Sequence, residues 1–154
     1  MKKIILTVAL ALGCLTVANA QQNALGLKFG GWNNNADISY QRFLNESNRL
    51  EANLGVVSFD ALDIFSINAK YQWVFDLDQL APGFKWYVGA GAGTVLGSGI
   101  DFNLALFGNI GIEYNFSFPL QLAFDYTPSM MITPNFGNTY FGDAGIRFAA
   151  RWRF

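Results

Sequence analysis

The side chains able to do chemistry are charged and amide residues recurring at every second position. Lys28, Lys70, Lys85, Arg147 and Arg151 are cations, and Glu51, Glu113, Asp125 and Asp143 are anions, each at the polar alternate of a stretch whose other positions are apolar. Two carboxylates such as Glu113 and Asp125 can in principle share acid–base work. Set among Lys and Arg, they are better suited to ion pairing. The sequence holds no His. Proton transfer near neutral pH usually relies on that residue, and without it a Ser-His-Asp triad cannot be assembled. Metal chemistry is equally thin, because the one cysteine is Cys14 and the carboxylates are scattered. No catalytic, cofactor-binding or metal-binding residue is therefore expected. The run Gly89-Ala90-Gly91-Ala92-Gly93 lacks dinucleotide-fingerprint spacing and precedes no helical pattern. Its glycines read as places where strands approach closely or where Tyr87 and Phe107 need room. Asn45-Glu46-Ser47 and Asn115-Phe116-Ser117 match a glycosylation sequon, a pattern short enough to arise by chance.

What must position these charges is a set of strands. Eight segments alternate with period two: 24–32, 37–44, 49–59, 63–75, 84–96, 101–116, 120–126 and 139–154. In the fourth, Phe65, Ile67, Ala69, Tyr71, Trp73 and Phe75 oppose Ser66, Asn68, Lys70 and Gln72. Arg42 breaks the pattern of the second and is placed at the rim, where its head reaches water. The connectors are rich in Asn, Asp, Ser, Gly and Pro, and short links between neighbours imply an up-and-down meander. The fold expected is all-β, an eight-stranded antiparallel up-and-down transmembrane β-barrel, closed so that no edge remains.

The two ends add independent signals. Lys2 and Lys3 precede the apolar run 4–17, and Ala18-Asn19-Ala20 has the small-x-small form of a cleavage site. Residues 1–20 thus read as a cleavable signal peptide and 21–154 as the barrel domain. Cys14 sits in a poor lipoprotein box, so a mature chain without cysteine is expected. Without Lys2 and Lys3, eight basic residues face eleven acidic ones, and no basic patch suggests nucleic acid. At the other end Phe148, Trp152 and Phe154 fall on one apolar face, a pattern similar to the insertion signal read by the barrel assembly machinery.

Volume decides which face turns outward. An eight-stranded lumen is just wide enough to be filled by side chains. It has no room for Tyr71, Trp73, Phe75, Trp86, Phe102, Tyr114, Phe116, Phe124, Tyr126, Phe148, Trp152 and Phe154 together. The aromatic face should meet lipid and the polar face should fill the barrel, its charges forming a lumen ion-pair network. With the N-terminus on the periplasmic side, the extracellular connectors are 33–36, 60–63, 97–100 and 127–138. The last carries Met130, Met131 and Ile132, which either form a surface contact loop or fold back onto the rim.

The run from Gly111 to Phe116 followed by Pro119-Leu120, and the closing Arg151-Trp152-Arg153-Phe154, resemble the small outer-membrane β-barrels typified by the OmpX and OmpA barrels. The resemblance implies a Gram-negative outer-membrane location, lipid and lipopolysaccharide as surroundings, and insertion by the barrel assembly machinery. It brings no catalytic residue. Three functions follow as expectations: a non-enzymatic barrel serving envelope structure or surface interactions with an extracellular partner, a narrow porin-like channel, and a lipid-modifying enzyme. The missing His weighs against the third.

Overall fold

A computed structural model describes residues 22–31, 35–59, 62–97, 103–133 and 138–154. The signal peptide expected over 1–20, with Cys14, lies outside the described residues. So do the central parts of the connectors expected on the extracellular side.

Eight strands run in order: β1 (Asn23–Gly30), β2 (Asn35–Phe43), β3 (Asn48–Phe59), β4 (Leu62–Asp76), β5 (Phe84–Gly97), β6 (Leu104–Asn115), β7 (Leu120–Thr133) and β8 (Asn138–Arg153). Each pairs antiparallel with its sequence neighbour, and β8 returns to β1, so the sheet closes into an up-and-down barrel. Alternation builds this sheet. Along β1, Leu25, Leu27 and Phe29 are exposed while Ala24 and Lys28 are buried. A one-residue slip would exchange those two sets, which holds the register.

The turns at the terminal end are well made. Asn45 Oδ1 accepts from the Ser47 and Asn48 amides at 3.0 and 2.8 Å, closing the β2–β3 turn. The Leu77 amide donates to Phe84 O at 2.9 Å across the β4–β5 connector. The start of β1 meets the end of β8 where Phe154 N donates to Asn23 O at 2.8 Å.

One expectation is corrected here. Residues 127–133 of the connector expected over 127–138 are not loop: β7 continues to Thr133, and Leu104, Ala105 and Leu106 pair with Ile132, Met131 and Met130. Met130, Met131 and Ile132 are strand residues, not the members of a contact loop. Pro128 sits at an irregularity in the pairing. From Tyr126↔Ile146 to Pro128↔Asp143 the pairing advances two residues on β7 and three on β8. The extra residue is a bulge on β8, where Gly145 has φ 77°. A proline at a bulge need not supply a ladder hydrogen bond. Gly145→Ala should therefore destabilise the barrel by about 1–2 kcal/mol, the left-handed penalty for an L-residue. Urea unfolding curves of the refolded protein would read that loss. An unchanged midpoint would remove the bulge as the reason for this glycine.

Every strand places large apolar side chains on the outer face, among them Ile110 at 50% exposure and Phe148 at 45%. Aromatic rings cluster toward the terminal end: Phe75 stacks on Trp86 at 4.5 Å, and Phe84, Tyr114, Phe116 and Phe118 follow one another at 4.7–5.0 Å. The buried set is the polar one.

Candidate functional site

The interior centres on Glu51, the fourth residue of β3. The register sets Gln41 of β2 on one side of it and Lys70 of β4 on the other. Its Oε2 accepts from Gln41 Nε2 at 2.9 Å, Gln72 Nε2 at 3.2 Å and Arg151 at 3.1 Å. Its Oε1 accepts from Lys28 Nζ at 2.8 Å and Asn53 Nδ2 at 2.9 Å, with Lys70 Nζ at 3.6 Å. A buried carboxylate is tolerable only when so supplied with cations and donors.

Asp125 of β7 forms a second centre on the opposite wall. Lys28 Nζ lies 2.7 Å from its Oδ2, the Tyr87 hydroxyl donates to Oδ2 at 2.8 Å, and Thr127 donates to Oδ1 at 3.0 Å. Gly111, opposite Asp125 on β6, makes this possible, because a Cβ there would stand 2.7 Å from the Tyr87 ring.

Lys28 thus ties β3 to β7 across the lumen, and the two centres are also joined the other way. Gln72 Nε2 donates to Asn109 Oδ1 at 2.6 Å, and Asn109 Nδ2 donates to Thr127 Oγ1 at 3.2 Å. Glu51, Gln72, Asn109, Thr127, Asp125 and Lys28 therefore close a ring of hydrogen bonds from five strands. Such rings polarise cooperatively, and each member holds its neighbours in one rotamer.

Toward the terminal end, Arg49 and Glu113 approach to 2.6 Å, both fully buried. Arg49 Nε donates to Gln72 Oε1 at 2.6 Å, and its guanidinium lies 4.6 Å from the Tyr87 ring centre. Toward the opposite end, Arg147 pairs with Asp37. At the terminal mouth Lys85 holds Asp76 at 2.7 Å, partly in water, beside an open cavity of about 880 Å³ lined also by Phe43, Glu46, Asn115 and Arg153.

Of the charges singled out in the sequence, Lys28, Glu51, Lys70, Asp125 and Arg151 converge, while Glu113 and Arg147 lie in separate pairs. Lys85 does not join them. Asp143 lies opposite Pro128, past the bulge, so the alternation counted from Arg147 does not extend to it, and its side chain is outside the description. Asp37 and Arg49 were missed. Their signal was present, since each shares the parity of its buried neighbours Ser39 and Glu51. Phe148 and Trp152 are exposed on the outer face, and Phe154 is partly covered. Among the described residues, no three His, Cys, Asp or Glu side chains gather as metal ligands.

The barrel has counterparts among solved structures. It superposes on a de novo designed protein, TMB2.3, with a TM-score of 0.54 at 15% identity, over 90% of this chain and 98% of that one. It superposes on Neisserial surface protein A with a TM-score of 0.52 at 16% identity, over 86% of this chain and 94% of that one. The shared feature is the fold. No family model matches the chain, and no curated protein matches it.

Proposed function

We propose that the chain is an integral outer-membrane barrel of a Gram-negative envelope, non-enzymatic, with its lumen closed by the polar network, serving envelope structure or surface interactions. The observation that carries this reading is the inversion of the barrel: a closed ring of buried polar side chains within, and an apolar, aromatic-edged face outside. In water an apolar surface wrapping every strand would far exceed the patch a soluble monomer tolerates. In lipid it is the low-energy surface, and rings near one strand end match an interfacial girdle. Strands β3 to β8 have 12–16 residues, enough to cross at the usual tilt. Likeness in fold to a Neisserial surface protein supports the location. Lipid and lipopolysaccharide are then its surroundings, the barrel assembly machinery its route of insertion, and residues 1–20 its export signal.

The ring supports closure rather than conduction. A path for ions has to pass side chains that already satisfy one another, and opening it exposes several charges at once. Two measurements test the reading. The refolded protein should migrate differently on a detergent gel before and after boiling, and planar bilayers should show no sustained single-channel steps. Absence of the mobility shift together with recovery in a soluble cell fraction would overturn the membrane placement. Reproducible conductance steps would overturn the closed lumen and favour the narrow channel.

A further inference from the structure

The outer face of the barrel is apolar with one exception. Among the strand side chains that the structure describes, Arg42 of β2 is the one charge turned outward. It is exposed on the side of Ile38, while Ser39 and Gln41 between them are buried. Its guanidinium makes no hydrogen bond or ion pair with a described residue. Glu46, the carboxylate nearest in sequence, lines the lumen mouth instead.

Arg42 stands where a membrane changes character. It is the last residue but one of β2 at the terminal end, opposite Asn23 and Leu50. One outward row nearer the midplane, the register aligns Trp152, Leu25 and Tyr40. Trp152 is 55% exposed, and the Tyr40 hydroxyl turns back to donate to Asn23 Oδ1 at 2.8 Å. Such rings, apolar in body and polar at one edge, favour the interface. The next row inward is apolar throughout: Ala150, Leu27 and Ile38. Outward positions along β2 thus pass from Ile38 through Tyr40 to Arg42, the order of tail, ester and phosphate in a lipid. Each step is about 7 Å along the strand, or about 5 Å of depth at the usual tilt. Beyond Tyr40 its row continues over Ala52 and Ala69. Tyr40 is the fourth residue from the terminal end of β2 and Ala69 the eighth from that end of β4, so the row climbs toward the midplane with room above its methyl groups.

We propose that Arg42 holds the phosphate of one glycerophospholipid in the adjacent leaflet, with Tyr40 and Trp152 at the ester level. An arginine on a lipid-facing strand is costly unless its head finds water or an anion, and at this depth the phosphate diester is the anion at hand. The planar guanidinium gives two parallel hydrogen bonds to phosphate oxygens, which an uncharged sugar headgroup cannot match. One acyl chain then lies along the row from Ala52 to Ala69. The site rests on the membrane placement proposed above. Gel mobility and cell fractionation test that placement, and phosphate preference in detergent tests the site, so each can fail alone.

The full chain is refolded in maltoside micelles and mixed with phosphatidylglycerol or with a diglucosyl diacylglycerol bearing the same acyl chains. Native mass spectrometry counts the lipid retained. Wild type should hold one phosphatidylglycerol, preferred roughly tenfold over the glycolipid, the order expected of one charge-assisted contact. Arg42→Met and Arg42→Gln should bring the two lipids to equality. Neither gives up a bond within the barrel, and methionine suits a lipid-facing wall, so the heat-dependent gel shift should persist. Lys85→Gln, which removes a cation of the lumen mouth, should keep the preference. Equal retention of the two lipids by wild type overturns the site whatever the variants do, and so does a preference that survives both Arg42 substitutions. Displacement of the lipid by millimolar inorganic phosphate would mark a site for free anions and overturn the lipid as its occupant.

Discussion

Glu51→Leu should be among the most damaging single substitutions in the barrel, lowering its stability by about 3–5 kcal/mol, the usual result of removing one partner from a buried ion pair. The reason is the number of groups left behind. Lys28 and Arg151 lose a charged acceptor, Lys70 loses its nearest anion, and Gln41, Gln72 and Asn53 lose an oxygen they donate to. Leucine fills much of the volume but accepts nothing, so the penalty is electrostatic and not a cavity. Against a typical domain stability of about 5–15 kcal/mol, this is a large fraction. Urea unfolding in lipid vesicles, followed by the heat-dependent gel shift, would measure it. A double-mutant cycle sharpens the test: Lys28→Met with Glu51→Leu should cost less than the sum of the two singles, because the second change removes a charge the first left unpaired. A Glu51→Leu barrel within about 1 kcal/mol of wild type would show that Glu51 is not the hub its geometry makes it.

The architecture was legible because period two is a local property. Asn109 and Ile110, or Gly111 and Ile112, declare opposite faces without reference to the rest of the chain, and lumen volume then says which face is outside. Strand ends were harder. Asp37 and Arg49 stand at the margins of their alternating stretches, beside turn-forming Asn residues, and read as flanking polarity. Lys85 has inward parity, but it lies at the mouth, where parity no longer implies burial. The pairing itself was beyond reach. Lys28 of β1 meets Glu51 on β3 and Asp125 on β7, neither strand its neighbour in the sheet. Those contacts depend on how strands stagger when the barrel closes and on which glycines leave room, and alternation carries neither. The bulge at Gly145 hid for a related reason. One inserted residue shifts the parity, so alternation counted from Arg147 does not carry across it to Asp143, and the seventh alternating segment ends at Tyr126 although its strand runs on to Thr133.

Ile110→Arg should separate the lipid-facing reading from every alternative, because the sign of its effect depends on the surroundings of the barrel. Ile110 lies well inside β6, half exposed, between Val88 of β5 and Tyr126 of β7. Its side chain points away from the lumen, so the substitution leaves Asn109 and the ring of hydrogen bonds intact. In a bilayer, arginine near the midplane of a barrel's outer face costs about 2–4 kcal/mol, falling to about 0–1 at the interfaces. Tyr114→Arg, two outward positions nearer the girdle and flanked by Phe84 and Leu122, should accordingly cost less, apart from the ring contacts it gives up. The gradient between the two positions is the diagnostic quantity. If instead the outer face met water, replacing an exposed isoleucine by arginine would be neutral or would improve solubility, and position along the strand would matter little. Stability of both variants in lipid vesicles, each referred to its own alanine variant to remove the lost packing, gives the gradient directly. A cost at Ile110 no greater than at Tyr114 would sink the placement of this face in lipid, and with it the account of why the charges had to be gathered inside.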